Sequence, residues 1–283
     1  MKIGIVGLGL IGGSLAKSIK KNTNHTCFGI DIDRATIAGA FAQEAIDEEI
    51  TPDELSRCDV VMVCLHPQQT IDFILENKNN FKKGGIVIDS CGVKNSIVTA
   101  VEPELAECGV HFLGCHPMAG REFSGFAYSV DNLFDKASFI MTPTDNTPIS
   151  VVKEISNLAY NIGFAKCVVS SPEEHDEIIA FTSQLAHVVS SAYIKSPSLL
   201  KQAGFSAGSF KDLTRVAKLN EDMWTTLFMM NKASLLSEIN HIIKSLEDYR
   251  DAIADDDYTK LHDLLKEGRE LKEISNNQNK RPN

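Results

Sequence analysis

A mostly parallel, doubly wound α/β sheet followed by an all-α helical part is the fold class that the sequence predicts, and three observations predict it. Between Lys2 and about Val169, short apolar β-branched runs alternate with amphipathic stretches. After Val169 the strand signal stops, and Ser171-Pro172-Glu173-Glu174 supplies a capping serine, a proline at the first helical position and a capping-box glutamate. A glycine-rich turn, Gly7-Leu8-Gly9-Leu10-Ile11-Gly12, stands between the first strand and the first helix. At 283 residues the chain is long for one core, and this reading divides it into 1–169 and 170–283.

The expected strands are Ile3–Val6, Thr26–Ile30, Val60–Leu65, Ile86–Asp89, His111–Cys115 and Ser138–Thr142, and segments such as Leu10–Ile19, Arg34–Ala42 and Val93–Ala106 carry apolar residues at helical spacing to cover the sheet. A long helix is expected from Ser171, with Ile178, Leu185, Val188 and Val189 as its core face. Ser, Pro and Gly interrupt the helical pattern near Lys195–Gly208, after which it continues to about Leu271 as a bundle; the polar tail Ser275–Asn283 is expected to fray.

The formal net charge of -10 disfavours nucleic acid and anionic membrane as partners, so an anionic ligand needs local positive charge. Seven cysteines form no CxxC pair and sit mostly in apolar runs, which fits reduced thiols in a cytoplasm. No apolar run approaches the roughly 18 residues of a membrane span, and the opening Met-Lys-Ile-Gly-Ile-Val-Gly is a strand entering a turn rather than a leader. No metal-ligand cluster is apparent.

The glycine turn has the context of a Rossmann-type dinucleotide site. Gly7 permits the tight turn, Gly9 lets a pyrophosphate approach the backbone, and Gly12 lets helix and strand pack closely; Leu10 and Ile11 open the helix whose N–H groups hold phosphate. The second strand ends on Asp31, nineteen residues beyond Gly12, where a carboxylate accepts ribose hydroxyls and repels a 2′-phosphate, so NAD is expected over NADP. Arg34 is the competing signal, since an arginine here can pair with a 2′-phosphate; packing on adenine or facing solvent is the expected alternative.

Ligands of an open α/β sheet lie beyond the carboxyl ends of the strands, and two ends stand out: Asp89-Ser90-Cys91-Gly92-Val93-Lys94 and His116-Pro117-Met118-Ala119-Gly120-Arg121-Glu122. His116, read as a loop residue, can accept a substrate hydroxyl proton as hydride leaves; a structural histidine is the competing reading. In the helical part, Ser183, His187, Ser190 and Ser191 share one face, which either lines a cavity or buries a satisfied histidine in a helix contact. Asp212 and Arg215 stand three apart on a further helix, either as a surface pair or as an acid orienting an arginine that grips a carboxylate.

Together these stretches resemble the prephenate dehydrogenase family, which includes the arogenate dehydrogenases. The resemblance rests on residues 7–16, 116–122 and 210–215, in that order, with Asn220-Glu221-Asp222-Met223-Trp224 as a fourth stretch, and spans nearly the whole chain. It implies NAD-dependent oxidative decarboxylation of prephenate to 4-hydroxyphenylpyruvate in tyrosine biosynthesis. His116 matches the catalytic histidine; His187 and Arg215 match substrate-binding residues, and Asp212 matches the acid beside that arginine. Trp224 matches a tryptophan that reaches the neighbouring subunit's site, so a homodimer through the helical part is implied. The chain departs from the family at Gly92, where many relatives carry a serine assisting the histidine; Ser90 or a water is the expected substitute. The chain also ends before the regulatory domain of some relatives. Arogenate as substrate, and an inactive NAD-sensing protein of the same fold, are the alternatives.

Overall fold

The computed structural model describes residues 1–121 and 123–278. In chain order its strands are β1 (Lys2–Val6), β2 (Thr26–Ile30), β3 (Glu48–Glu49), β4 (Val60–Val63), β5 (Ile86–Asp89), β6 (His111–Pro117), β7 (Ser138–Thr142) and β8 (Lys166–Val169). They form one sheet in the order β3-β2-β1-β4-β5-β6-β7-β8, parallel throughout except where β7 runs against β6. The chain starts in the middle, moves outward to β3 and returns to β4 on the other side of β1. That reversal opens a crevice beyond the carboxyl ends of β1 and β4, the usual ligand position in such sheets.

The helices of this part are α1 (Leu10–Asn22), α2 (Arg34–Ala42), α3 (Pro67–Glu76), α4 (Asn95–Glu107) and α5 (Ile149–Asn161). Alternate strand residues feed two cores. Ile3, Ile5, Val60 and Met62 meet Leu15, Ile19, Ile37 and Ile155 of α1, α2 and α5. Val6, Val61 and Val63 meet Ile71, Ile74, Ile97, Val101 and Leu105 of α3 and α4. Burying each such side chain contributes about 2 kcal/mol, and the two-residue period of the strands decides which face receives it.

Three boundaries differ from the sequence expectation. β4 stops at Val63, whereas Leu65 was expected inside it. The two-residue β3 holds only glutamates and so has no apolar pattern, and the four-residue edge strand β8, Lys-Cys-Val-Val, is absent from the expected strands. β6 continues past Cys115, so His116 is a strand residue and not a loop residue: it pairs with Ile140, and Pro117 with Phe139. The antiparallel partner β7 supplies hydrogen bonds that extend β6 by two residues, which no local signal in β6 announces.

The helical part holds α6 (Pro172–Ile179), a π turn at Ala180–Gln184, α7 (Leu185–Tyr193), α8 (Gly208–Thr214), α9 (Glu221–Met230), α10 (Lys232–Ala254) and α11 (Tyr258–Gln278). As expected, Ser171 caps α6 by accepting a hydrogen bond from the Glu174 N–H at 3.1 Å. Ile178, expected in the core, is 51% exposed, while Leu185 is buried. The π turn inserts one extra residue into the helical repeat, so the face predicted from an unbroken period of 3.6 is rotated beyond it.

Two compact units result, Met1–Lys232 and the chain from Ala233 onward. Within the first, the Asn231 amide donates to the Asp176 carbonyl at 2.8 Å and to Gln184 Oε1 at 2.9 Å, and Ser96 Oγ donates to the Met230 carbonyl at 3.0 Å. These bonds tie the end of α9 to α4, α6 and the π turn. The second unit is a helical hairpin in which Tyr249 Oη donates to the Leu264 carbonyl at 3.2 Å. Ser275–Gln278 belong to α11 rather than to a frayed tail, and the rest of that tail, 279–283, lies outside the described residues, as does Glu122. None of the described helices is long and apolar enough to cross a membrane.

Candidate active site

The cradle at the start of α1 follows from its glycines. Gly7 adopts φ +84°, and a Cβ there would lie 2.7 Å from the Cys64 carbonyl oxygen; a Cβ on Gly12 would lie 1.9 Å from the Gly7 carbonyl oxygen. Gly9 caps the helix with nothing within 4 Å of its missing side chain. The backbone N–H groups of Leu10, Ile11 and Gly12 fall in the first turn, where a helix offers them no carbonyl, so the cradle has donors and open space for a pyrophosphate. Gly13 has a role that the motif does not announce: a Cβ there would meet the Phe126 ring at 2.7 Å.

Asp31 lies at the end of β2, as expected. Its carboxylate accepts from the Leu8 N–H at 2.7 Å and from the Asp33 N–H at 2.9 Å, which braces it beside the cradle with lone pairs left over. Arg34 is engaged with Glu49 in an ion pair and is 74% exposed. Neither adenine packing nor a 2′-phosphate is needed to account for it.

Beyond the carboxyl ends of β5 and β6 lies a buried polar cluster. Lys94 and Asp89, both wholly buried, form an ion pair, and Lys94 Nζ also donates to the Cys115 carbonyl at 2.7 Å. Asp89 accepts from the Cys115 N–H at 3.0 Å and from the Cys91 N–H at 2.9 Å. Every charge here is paired and hydrogen-bonded, which is the condition for burying it. This cluster locks β5 to β6 at the level of His116.

His116 Nδ1 lies 2.9 Å from Nε2 of His175, whose Nδ1 lies 2.8 Å from Asp176 Oδ1. The Asp176 carboxylate also accepts from the Lys94 N–H at 2.8 Å and the Asn95 N–H at 2.9 Å, so it caps the positive end of α4. Burial, followed by the fields of His175 and Lys94, holds the His116 imidazole well below the ordinary histidine range, and it is uncharged at neutral pH. His175 and Asp176 were missed in the sequence. Their only signal is a His-Asp pair in the first turns of the helix that leaves the sheet.

On the other edge of His116 stands Gly92. A Cβ there would lie 3.9 Å from Nε2 and 3.8 Å from Cε1 of His116, an ordinary contact distance. Ser90 does not take the place of the absent serine: it makes no hydrogen bond to His116 and instead bonds the Cys64 thiol, whose pKa burial pushes up to about 12. Ser90 also lines a small apolar cavity with Met62, Ile88, Pro117 and Phe139.

His187 donates from Nδ1 to the Ser183 carbonyl at 2.8 Å, and Trp224 lies against its ring with centroids 3.9 Å apart. Trp224 thus packs on the histidine of its own chain. Burial lowers the His187 pKa, the Ser183 bond opposes this, and the nearby Arg215 charge lowers it further. The serine stripe does not form as expected, since Ser190 is buried with its hydroxyl unpaired while Ser183 falls in the π turn. Asp212 and Arg215 share the end of α8 but make no ion pair with each other. Both are exposed, and an exposed i, i+3 pair contributes too little to hold two long side chains together.

Among the described residues no three His, Cys, Asp or Glu side chains converge as a metal site. What the crevice offers is a cradle for a dinucleotide and, three strands away, one neutral imidazole, with a second imidazole and an arginine on the helical part. A group that accepts hydride and a protein that accepts only a proton is the division of labour in a dehydrogenase. The chain belongs to the prephenate dehydrogenase family, in which enzymes act in aromatic amino acid biosynthesis: residues 15–169 match its nucleotide-binding domain and residues 171–267 its dimerization domain. It is 28% identical to prephenate dehydrogenase of Bacillus subtilis over 95% of this chain and 74% of that one. It is 28% identical to cyclohexadienyl dehydrogenase of Zymomonas mobilis over 95% of this chain and 94% of that one. Among solved structures, prephenate dehydrogenase of Aquifex aeolicus in complex with hydroxyphenyl propionate and NAD+ superposes with a TM-score of 0.87 at 30% identity, covering 97% of this chain and 98% of that one. Arogenate dehydrogenase of Synechocystis gives 0.85 at 26% identity, covering 97% of this chain and 100% of that one.

Proposed function

We propose that the protein is an NAD-dependent prephenate dehydrogenase, with residues 1–169 as its dinucleotide half and 170–283 as its substrate and dimer half. The observation that carries the reading is the neutral His116 imidazole, pinned in β6 with its Nε2 edge open beside Gly92. Bound NAD would supply the hydride acceptor at C4 of its nicotinamide. Gly7, Gly9, Gly12 and the N–H groups of Leu10 and Ile11 would hold its pyrophosphate, and Asp31 its ribose hydroxyls. Arg34, committed to Glu49, leaves the carboxylate to decide the preference for NAD over NADP. His116 takes the hydroxyl proton as the ring carbon is oxidised; carbon dioxide then leaves and the ring becomes aromatic. Because aromatisation drives the reaction, the protein chiefly aligns the partners and holds two carboxylates, for which Arg215 beside His187 is the cation.

The choice of prephenate over arogenate rests on the prephenate dehydrogenases among the relatives and not on His187: with Nδ1 donating to the Ser183 carbonyl, the neutral ring offers Nε2 as an acceptor, which suits an ammonium group better than a keto oxygen. Purified protein with NAD or NADP and either substrate, followed by absorbance of the reduced nicotinamide, tests both choices: a higher kcat/KM for arogenate overturns the substrate, and equal use of NADP overturns the role of Asp31. A homodimer accompanies this reading. Leu236, Ile243, Leu246 and Ile253 are exposed along α10 at spacings of seven, three and seven, an apolar stripe that a second copy covers. The unpaired thiols, pushed up by burial at Cys27, Cys58, Cys64, Cys91 and Cys115, suit a reducing cytoplasm.

A further inference from the structure

We propose that His175, backed by Asp176, is a positioning residue that fixes the tautomer of His116, so that Nε2 of His116 carries the lone pair facing the substrate. The inference rests on the reading of His116 as the proton acceptor. It starts from the far end of the chain of bonds. Asp176 already accepts two backbone N–H groups at the start of α4, and an ionised carboxylate can only accept, so the 2.8 Å contact requires a proton on His175 Nδ1. With that proton placed, the neutral His175 ring has only a lone pair at Nε2. The 2.9 Å contact then requires the proton of His116 to sit on Nδ1, and Nε2 of His116 is left as the acceptor.

A charged His175 would reverse this, because its Nε2 would donate and force the His116 proton onto the substrate side. The ring is 2% exposed, with Nδ1 against Asp176 and Nε2 against His116, so both nitrogens are engaged within the cluster. The negative charge of Asp176 is largely committed to the positive end of α4. The Lys94 ammonium lies in the same cluster, its own partner being Asp89. Asp89, Lys94, Asp176 and His116 are the titratable groups that β5, β6, α4 and α6 bring around His175. Free imidazole favours the opposite tautomer, with the proton on Nε2, so the arrangement is imposed by the protein and is directly observable.

Histidine-selective nitrogen-15 spectra of the dinucleotide-bound protein at neutral pH test it. The expected result is an unprotonated Nε2 for both His116 and His175, assigned with His116→Asn and His175→Gln. A proton on Nε2 of His116 overturns the proposal. Kinetics give a second readout. His175→Leu is expected to lower kcat about 10²-fold with KM and NAD affinity changed less than about threefold, and His175→Gln, which keeps an acceptor near the lost Nε2, to recover at least tenfold of that. A leucine variant with full kcat overturns the proposal, as does a glutamine variant no better than leucine. If the unmodified protein oxidises neither prephenate nor arogenate, the functional reading fails, while the spectra still decide the tautomer.

Discussion

His116 is ordinary in composition and unusual in surroundings, which is why its predictions are sharp. With its pKa held below the usual value of about 6.5, the folded protein keeps the ring neutral while the unfolded chain takes up a proton as the pH falls. Its contribution to stability is therefore present above about pH 6.5 and is lost progressively as the pH drops through that value toward the depressed folded pKa. Denaturant titrations between neutral and mildly acid pH are expected to show this loss, and His116→Asn to weaken it. The same variant is expected to lower kcat about 10²-fold or more with substrate binding nearly intact. A kcat within threefold of the unmodified protein would show that another group accepts the proton. At Gly92 the space beside His116 Nε2 admits a hydroxymethyl group without displacing the ring. Gly92→Ser is thus expected to fold normally and to raise kcat/KM several-fold, the effect of about 1 kcal/mol from one added hydrogen bond; a fall below the unmodified value would show that water already serves better. The glycines, Asp31 and His116 were legible because their meaning is carried by spacing along a few residues. His175 was not, because its partner is 59 residues away in the chain and only the closing of α6 onto β6 brings them together.

At the scale of elements, the helix that crosses the helical part is legible at its start and not in its middle. Ser171 and Pro172 announce the first turn by local chemistry, but nothing in Ala180–Gln184 announces a π turn. Its effect is geometric. His175 and His187 are twelve residues apart, which in an unbroken helix places them about 120° apart, whereas one inserted residue reduces the offset to about 20°. The imidazole that backs His116 and the imidazole beside Arg215 thereby share a face. Deleting the exposed Thr182 is expected to restore an unbroken helix in which His175 and His187, now eleven residues apart, keep their offset of about 20°, so that KM changes less than about threefold. A KM raised tenfold or more would show that the π turn does more than take up one inserted residue. The core behaves more simply: Leu105→Ala, in α4 and wholly buried, is expected to cost about 2–5 kcal/mol in denaturant titration with little effect on KM. A loss below about 1 kcal/mol would show that the neighbouring side chains collapse to fill the gap.

At the scale of the molecule, the sheet and its order were legible from the alternation of runs, while strand edges and the extent of β6 were decided by partners outside each run. The apolar stripe of α10 predicts a dimer. Charged replacements at Ile243 and Leu246 are expected to shift the protein to monomer in sedimentation at micromolar concentration, and a species that sediments unchanged would assign the stripe to another role. The hydrogen bond from His116 to His175 has a consequence of a different kind. Residue 169 looks like a natural seam, with strands before it and helices after, and the two sides look exchangeable among enzymes of related architecture. The bond crosses that seam, and so do the bonds from Asp176 to the start of α4. A hybrid that joined this sheet to a foreign helical half would inherit a complete cofactor cradle and a histidine with no one to tell it which nitrogen to protonate. The two halves are therefore expected to work only as a matched pair.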